Sequence, residues 1–212
     1  MDVKRNAIEC MRREVGSKPS GVVLFSSVTD AYQPLEKKTQ LTRGLLEVLV
    51  EHNYPVEVLT KSSLVVRDMD VLSRFDDVEV GLTLTTMDDG VRRIFEPGAS
   101  TVQDRLDALK SFADQGIDTY AFLGPLLPYL SEVRLEELLN SLADRVSRVI
   151  VDRLNIKAGN WITICETLED NYPDLLPKFK DASDDASPYY DTLKQKVTRM
   201  LERRAIPADY VF

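Results

Sequence analysis

Thiol and imidazole chemistry have little to work with in this sequence. It holds one histidine, His52, and two cysteines, Cys10 and Cys165, in 212 residues. The cysteines lie far apart and match no metal-ligand spacing, so they read as free thiols. His52 closes a helical stretch, Glu51-His52-Asn53, where the helix C-terminus favours positive charge. A zinc site or a Cys–His couple therefore has little basis. No apolar run approaches the roughly 18 residues of a membrane span, so no membrane partner is expected. The stretch MDVKRNAIECMRREV is charged and lacks an apolar signal core, which predicts a cytoplasmic protein. Nucleophile elbow, Walker loop and glycine-rich dinucleotide fingerprint are all missing. Excess positive charge is missing too. The net charge of −8 weakens any case for broad nucleic-acid binding, which rests on many contacts to phosphates. A local basic groove remains open; the acidic stretch over 166–191 and the basic last helix with Lys194, Lys196, Arg199, Arg203 and Arg204 read as two solvated faces.

What the chain does have is alternation. Short β-branched apolar runs at 21–27, 56–60, 78–84, 119–123 and 146–154 read as buried strands. Helical spacing separates them at 41–52, 70–75, from 100 to Gly116, and at 132–144. Ser100-Thr101-Val102-Gln103 fits a capping box, and Gly116 suits a helix end. Later segments at 161–171 and 188–204 read as helices, and 210–212 fits a short strand. Alternating strands and helices imply parallel strands with right-handed crossovers, in a βα barrel or a doubly wound sheet. Five strands are too few for a closed eight-stranded barrel. The helix predicted over 3–15 has no strand before it, so the rhythm predicts an absent first βα unit.

In such architectures functional residues lie at the C-terminal strand ends. Those positions hold Ser26, Ser27, Thr29 and Asp30, then Thr60 and Lys61, then Thr83, Thr85, Thr86 and Asp88, then Gly124, then Asp152 and Arg153. Hydroxyls, one lysine, one arginine and several carboxylates make a polar mouth suited to a zwitterionic or ribose-bearing ligand.

The segment Ser27-Val28-Thr29-Asp30-Ala31-Tyr32-Gln33-Pro34-Leu35-Glu36 resembles the TDxYQPxE stretch of radical S-adenosylmethionine (SAM) proteins related to spore photoproduct lyase. Val58-Leu59-Thr60-Lys61 is similar to that family's apolar-Thr-Lys strand end, and Phe95-Glu96-Pro97-Gly98 to its FEPG block. The resemblance implies an α/β fold, a partial (β/α) TIM-like barrel of the radical SAM type lacking the first βα unit. Residues 1–160 would form the barrel and 161–212 a helical extension packed on it. It implies SAM and a 4Fe–4S cluster as cofactors, a 5′-deoxyadenosyl radical as the reactive species, and repair of a DNA lesion as one reaction.

Carried over by position, Lys61 matches the lysine that contacts the SAM carboxylate, and Thr83 falls where the family has a serine near SAM. Asp30, with Thr29, stands near the strand end that receives the SAM amino group. Thr85 joins the same mouth, Gly124 lies where the backbone passes the adenine, and Arg153 falls on the substrate side. The family's cluster is held by three cysteines in a C-x3-C-x2-C loop after the first strand, and clusters need thiolate ligands. This chain has no such loop, so a fragment, inactive alone, is expected. The alternative is a cluster-less barrel used in binding or assembly, with its open edge pairing in a homodimer.

Overall fold

Six strands lie side by side in a parallel sheet, in the order in which the chain makes them. The computed structural model describes residues 3–19, 21–25 and 29–212. The strands are β1 (Val23–Phe25), β2 (Val56–Thr60), β3 (Val78–Thr83), β4 (Asp118–Leu126), β5 (Arg148–Arg153) and β6 (Ala208–Tyr210). Helix α1 (Ala7–Glu14) precedes β1, and α2 (Glu36–Thr39) and α3 (Leu41–Glu51) lead to β2. Then come α4 (Met69–Leu72), α5 (Asp89–Phe95), α6 (Val102–Asp114) and α7 (Leu135–Leu142). The crossover from β5 to β6 holds α8 (Ala158–Asn171), α9 (Leu176–Ala182) and α10 (Tyr189–Glu202). A doubly wound sheet reverses its strand order part-way, and this one does not. The architecture is therefore an open section of a βα barrel.

Strand periodicity sorts the residues onto two faces. In β2, Val56, Val58 and Thr60 are buried while Glu57 and Leu59 are half-buried. Val58, Val80, Ala121, Leu123, Val149 and Val151 are fully buried on the outer face, with Leu46, Leu109, Phe112, Leu138 and Val197 from the helices also in the core. Burying each large apolar side chain contributes roughly 1.5–3 kcal/mol. The inner face carries a polar layer near the N-terminal ends of the strands. There the Tyr120 hydroxyl donates to Glu57 Oε1 at 2.6 Å, and Arg148 grips both oxygens of Glu79 at 2.9 and 2.6 Å.

Local signals were displaced in places. The cap of α6 sits one residue later than the sequence suggests: Thr101 accepts from the Asp104 N–H. Ser100 instead receives the Ser63 N–H on its hydroxyl at 2.9 Å, so it ties two loops together. Gly116 does close α6, with φ of +76°, in the left-handed region that favours glycine. Strand β4 runs on through Gly124-Pro125 to Leu126, with a register shift against β5 between Leu123 and Leu126. After β5 the chain adds α8–α10 and then returns to the sheet, because β6 pairs in parallel with β5. Of the first strand's expected end, Ser26 and Ser27 lie outside the described residues.

Candidate functional site

The C-terminal ends of the first four strands open onto a cleft of about 480 Å³. Its charged lining residues are Asp30, Lys61 and Glu96. Thr85, Tyr32, Gln33, Pro97, Pro125 and Leu127 complete much of the wall, and α8 brings Asn160 and Ile164 across it.

Lys61 stands one residue beyond β2, and its backbone is fixed on both sides. Its N–H donates to Asp30 Oδ2 at 2.8 Å, and its carbonyl accepts from the Ser100 N–H at 3.0 Å. Asp30 Oδ1 accepts from the Thr60 hydroxyl at 2.6 Å and from the Tyr32 N–H at 2.8 Å. Both Asp30 oxygens are thus engaged in joining the loop after β1 to the end of β2. The Lys61 side chain is 38% exposed, and its ammonium lies 3.6 Å from Glu96 Oε1. That same oxygen accepts from the Thr85 hydroxyl at 2.7 Å. Glu96 Oε2 accepts from Arg105 Nη1 at 3.0 Å. Arg105, 1% exposed, also donates to the carbonyls of Thr83 at 2.7 Å and Ser100 at 3.1 Å. Burial pushes the Arg105 pKa down, and the Glu96 carboxylate opposes that shift.

The structure thus brings Asp30, Lys61 and Thr85 to one cleft. Thr83 is buried at the end of β3 and meets Arg105 through its carbonyl. Gly124 borders the site through its backbone, its carbonyl 3.4 Å from the Thr85 hydroxyl. Thr29 is exposed and does not line the cleft. Arg153 lines a separate cavity of about 600 Å³ with Asp152, Lys180 and Ser183. Its guanidinium lies 6.0 Å from the Tyr190 ring centroid and 3.4 Å from Asp185. Leu154 is common to both cavities. The sequence gives Glu96 no site role beyond its place in the Phe95-Glu96-Pro97-Gly98 block, and it does not point to Arg105. The signal for Glu96 was present in Phe95-Glu96-Pro97-Gly98, a carboxylate held in a proline–glycine turn. Arg105 had none, since it occupies an ordinary position on α6.

A second ion pair frames the loop that carries Glu96. Asp89 receives Arg92 Nε at 3.0 Å, Arg92 Nη2 at 2.9 Å and the Val102 N–H at 3.2 Å. Arg92 Nη1 also donates to the Ala99 carbonyl at 3.2 Å. The hydrogen bonds from Arg92 hold the Asp89 pKa down at about 2. A carboxyl with a depressed folded-state pKa stabilises the fold above its unfolded value near 4, and that stabilisation is lost as pH falls. The Asp89→Asn variant should therefore melt below wild type at pH 6, with the gap closing between pH 4 and 2. A gap in melting temperature that does not change over that range would refute the assignment.

Comparison with known proteins supplies the family. The chain matches the family described as the Radical SAM superfamily over residues 7–142. The chain belongs to the radical SAM superfamily. An uncharacterized protein of Methanocaldococcus jannaschii is 36% identical over 154 residues, which are 73% of this chain and 58% of that protein. Among solved structures, spore photoproduct lyase superposes with a TM-score of 0.68 at 16% identity, over 99% of this chain and 67% of that one. Streptococcus suis SuiB bound to SAM gives a TM-score of 0.58 at 15% identity, over 98% of this chain and 40% of SuiB. At these identities the structures establish the fold. The chain spans 58% of the length of the M. jannaschii relative.

The family implies SAM and a 4Fe–4S cluster. The strand-end cleft of this chain fits the first: it has the volume of a small-molecule site, a lysine at its edge, and hydroxyl and amide groups on its walls. The second does not fit the residues present. Cys10 lies on α1 and Cys165 on α8, and no group of three His, Cys, Asp or Glu able to hold a metal occurs among the described residues. The TDxYQPxE stretch has a largely structural part. Asp30 clamps the loop, and buried Glu36 accepts from Arg67 Nη2 at 2.9 Å and from the Leu41 N–H at 2.9 Å. No helix among the described residues is long and apolar enough to cross a membrane.

Proposed function

We propose that this chain is the SAM-binding part of a radical SAM enzyme of the spore photoproduct lyase type. The observation that carries the reading is Lys61, held by its backbone at the rim of the strand-end cleft with its ammonium half-exposed. An ammonium so placed favours a carboxylate, and the charge-assisted contact fixes one end of the ligand. Thr85 stands within the same cleft with its hydroxyl already oriented by Glu96, and Gly124 lets the backbone of β4 come close. Thr83 acts through its backbone, and Thr29 and Asp30 shape the loop over the cleft. In this family SAM supplies a 5′-deoxyadenosyl radical that abstracts a substrate hydrogen. This chain's own part is to bind and orient SAM, and the thiolates that reduction requires are not offered by Cys10 and Cys165.

Arg153 is proposed for the substrate side, because its cavity adjoins the SAM cleft across Leu154. Repair of a DNA lesion is the finer reading, supported by the fold likeness to spore photoproduct lyase, which has been solved with a dinucleoside spore photoproduct.

Titration calorimetry with SAM tests the cleft. Lys61→Ala should weaken SAM binding at least tenfold, because a charge-assisted hydrogen bond contributes about 1.5–3 kcal/mol. Equal affinities of wild type and variant, or no SAM binding by wild type, would overturn the reading.

A further inference from the structure

Side chains alternate along β5, so Arg148, Ile150 and Asp152 share the inner face of the sheet and Arg153 turns to the outer one. The carboxylates lower on the inner face are compensated: Glu57 by the Tyr120 hydroxyl, Glu79 by Arg148, and Asp209 by Arg148 at 3.4 Å. Half-buried Asp152 is not. Among the described residues no side chain hydrogen-bonds to its carboxylate or forms an ion pair with it. The adjacent cation, Arg153, reaches Asp185 and the Tyr190 ring instead. Burial pushes the Asp152 pKa up, against the opposing pull of the Arg153 backbone N–H and charge. Asp152 lines the cavity of about 600 Å³ together with Ser183. The Ser183 hydroxyl is buried and has no hydrogen-bond partner either. The great majority of buried polar groups are partnered, so two orphans on one cavity point to a ligand that completes them.

We propose that this cavity binds a protonated amine of the substrate, with Asp152 as the anion that receives it and Ser183 as a further acceptor. The assignment rests on the reading of the Arg153 cavity as the substrate side, and it names the substrate group that enters there. An ammonium supplies both the charge and the N–H donors that the lone carboxylate lacks. It also suits the surroundings of Asp152. Three carboxylates line the cavity against two cations, and Arg153 is already engaged with Asp185. A phosphate or carboxylate would meet the uncompensated Asp152, whereas an ammonium is attracted to it and to the aromatic faces of Trp161 and Tyr190 on the same wall. The location fits a reacting substrate. Asp152 stands beside Gly124, whose carbonyl borders the SAM cleft: a Cβ built on Gly124 would lie 3.0 Å from the Asp152 Cβ. A substrate anchored on Asp152 is thus separated from that cleft by the bare backbone of Gly124 and by Leu154, which lines both cavities. Selection is by charge, since a neutral hydroxyl in place of the amine leaves the carboxylate uncompensated.

Trp161 is the only tryptophan of the chain and lines this cavity, so its emission reports occupancy. Ethylamine, protonated near neutral pH, is the probe, and ethanol and inorganic phosphate at matched ionic strength are its controls. Ethylamine should shift the Trp161 emission saturably, and the two controls should not. Asp152→Asn keeps the shape of the side chain and removes its charge. It should weaken ethylamine binding about tenfold, the loss expected for a hydrogen bond to a charged group. It should also melt at or above the wild-type temperature near neutral pH, because an unpaired half-buried charge is gone. A merely structural Asp152 would lower the melting temperature instead. Asp76→Asn, which removes the same charge from an exposed position at the opposite ends of the strands, should keep ethylamine affinity within about twofold. If Asp152→Asn does not melt cooperatively, Ser183→Ala takes its place and should weaken ethylamine about threefold. Equal affinity in wild type and in the variant that folds overturns the assignment. Phosphate or ethanol binding as tightly as ethylamine overturns it too, as does a Trp161 emission that answers none of the three. A wild type that binds SAM and not ethylamine removes the amine site alone. One that binds ethylamine through Asp152 and not SAM keeps the amine site and removes the SAM reading.

Discussion

Arg105→Met should cost about 3–5 kcal/mol of stability, the range seen when one partner is removed from a buried ion pair. The guanidinium sits at 1% exposure and makes three hydrogen bonds, two of them to backbone carbonyls that have become its dependants. Methionine fills much of the volume but donates nothing. The Thr83 and Ser100 carbonyls lose a donor in a dry place, and Glu96 loses the charge that offsets its own. In a chain of this length the melting temperature should fall by about 10 °C or more. Pairing the change with Glu96→Leu separates the causes. If the stranded carboxylate supplies much of the cost, the double variant recovers part of the stability, since replacing a buried pair by apolar groups is often close to neutral. Urea denaturation of the single and double variants gives the coupling energy directly. A single-variant loss below about 1 kcal/mol would mean that Arg105 is not the anchor of the loop.

The same residue shows where the sequence stops being readable. Strands at 56–60 and 78–84 are legible because β-branched residues recur at alternate positions, Val56, Val58 and Thr60 in one and Val78 and Val80 in the other, and β2 and β3 occupy those places. The strand end then fixed Lys61 at the mouth without any contact being known. Helix α5 was not legible: it has seven residues, and one of its buried positions is Arg92. An arginine on the inner side erases the apolar stripe on which helix recognition depends. Helix α9 was missed for a related reason, since its short apolar face, Phe179 and Ala182, is set among charged neighbours. The cap of α6 was misplaced by one residue because Ser100 and Thr101 have the same capping chemistry, and only the long-range bond to Ser63 tells them apart. The site divides along the same line. Residue types at strand ends gave Asp30, Lys61 and Thr85. What each carboxylate does depends on backbone donors and on a buried arginine from another element, and no local pattern encodes those.

Gly81→Ala should be the most damaging single methyl that can be added to the sheet, costing about 3 kcal/mol, the upper end for overpacking a dense core. Gly81 lies on the inner face of β3, directly beside Tyr120 in the register with β4. A Cβ there would lie 2.2 Å from Tyr120 Cζ and 2.5 and 2.6 Å from the two adjacent ring carbons. A flexible side chain would step aside, but this ring is pinned at every point. Its hydroxyl is tied to Glu57 at 2.6 Å, and the Arg148 guanidinium covers it at 4.6 Å from the centroid. Arg148 is in turn held by both oxygens of Glu79. Glu57 and Glu79 face each other across β2 and β3, so their like charges depend on the Tyr120 hydroxyl and Arg148 for compensation. The added methyl thus displaces the ring and opens the whole polar layer. Tyr120→Ala in the same chain tests that chain of dependence, because it vacates the space the methyl needs. Gly81→Ala should then cost much less in the Tyr120→Ala background than in wild type, and thermal melts of the four proteins measure the difference. Equal costs in both backgrounds would show that Gly81 is required by the strand itself and not by the ring lying over it.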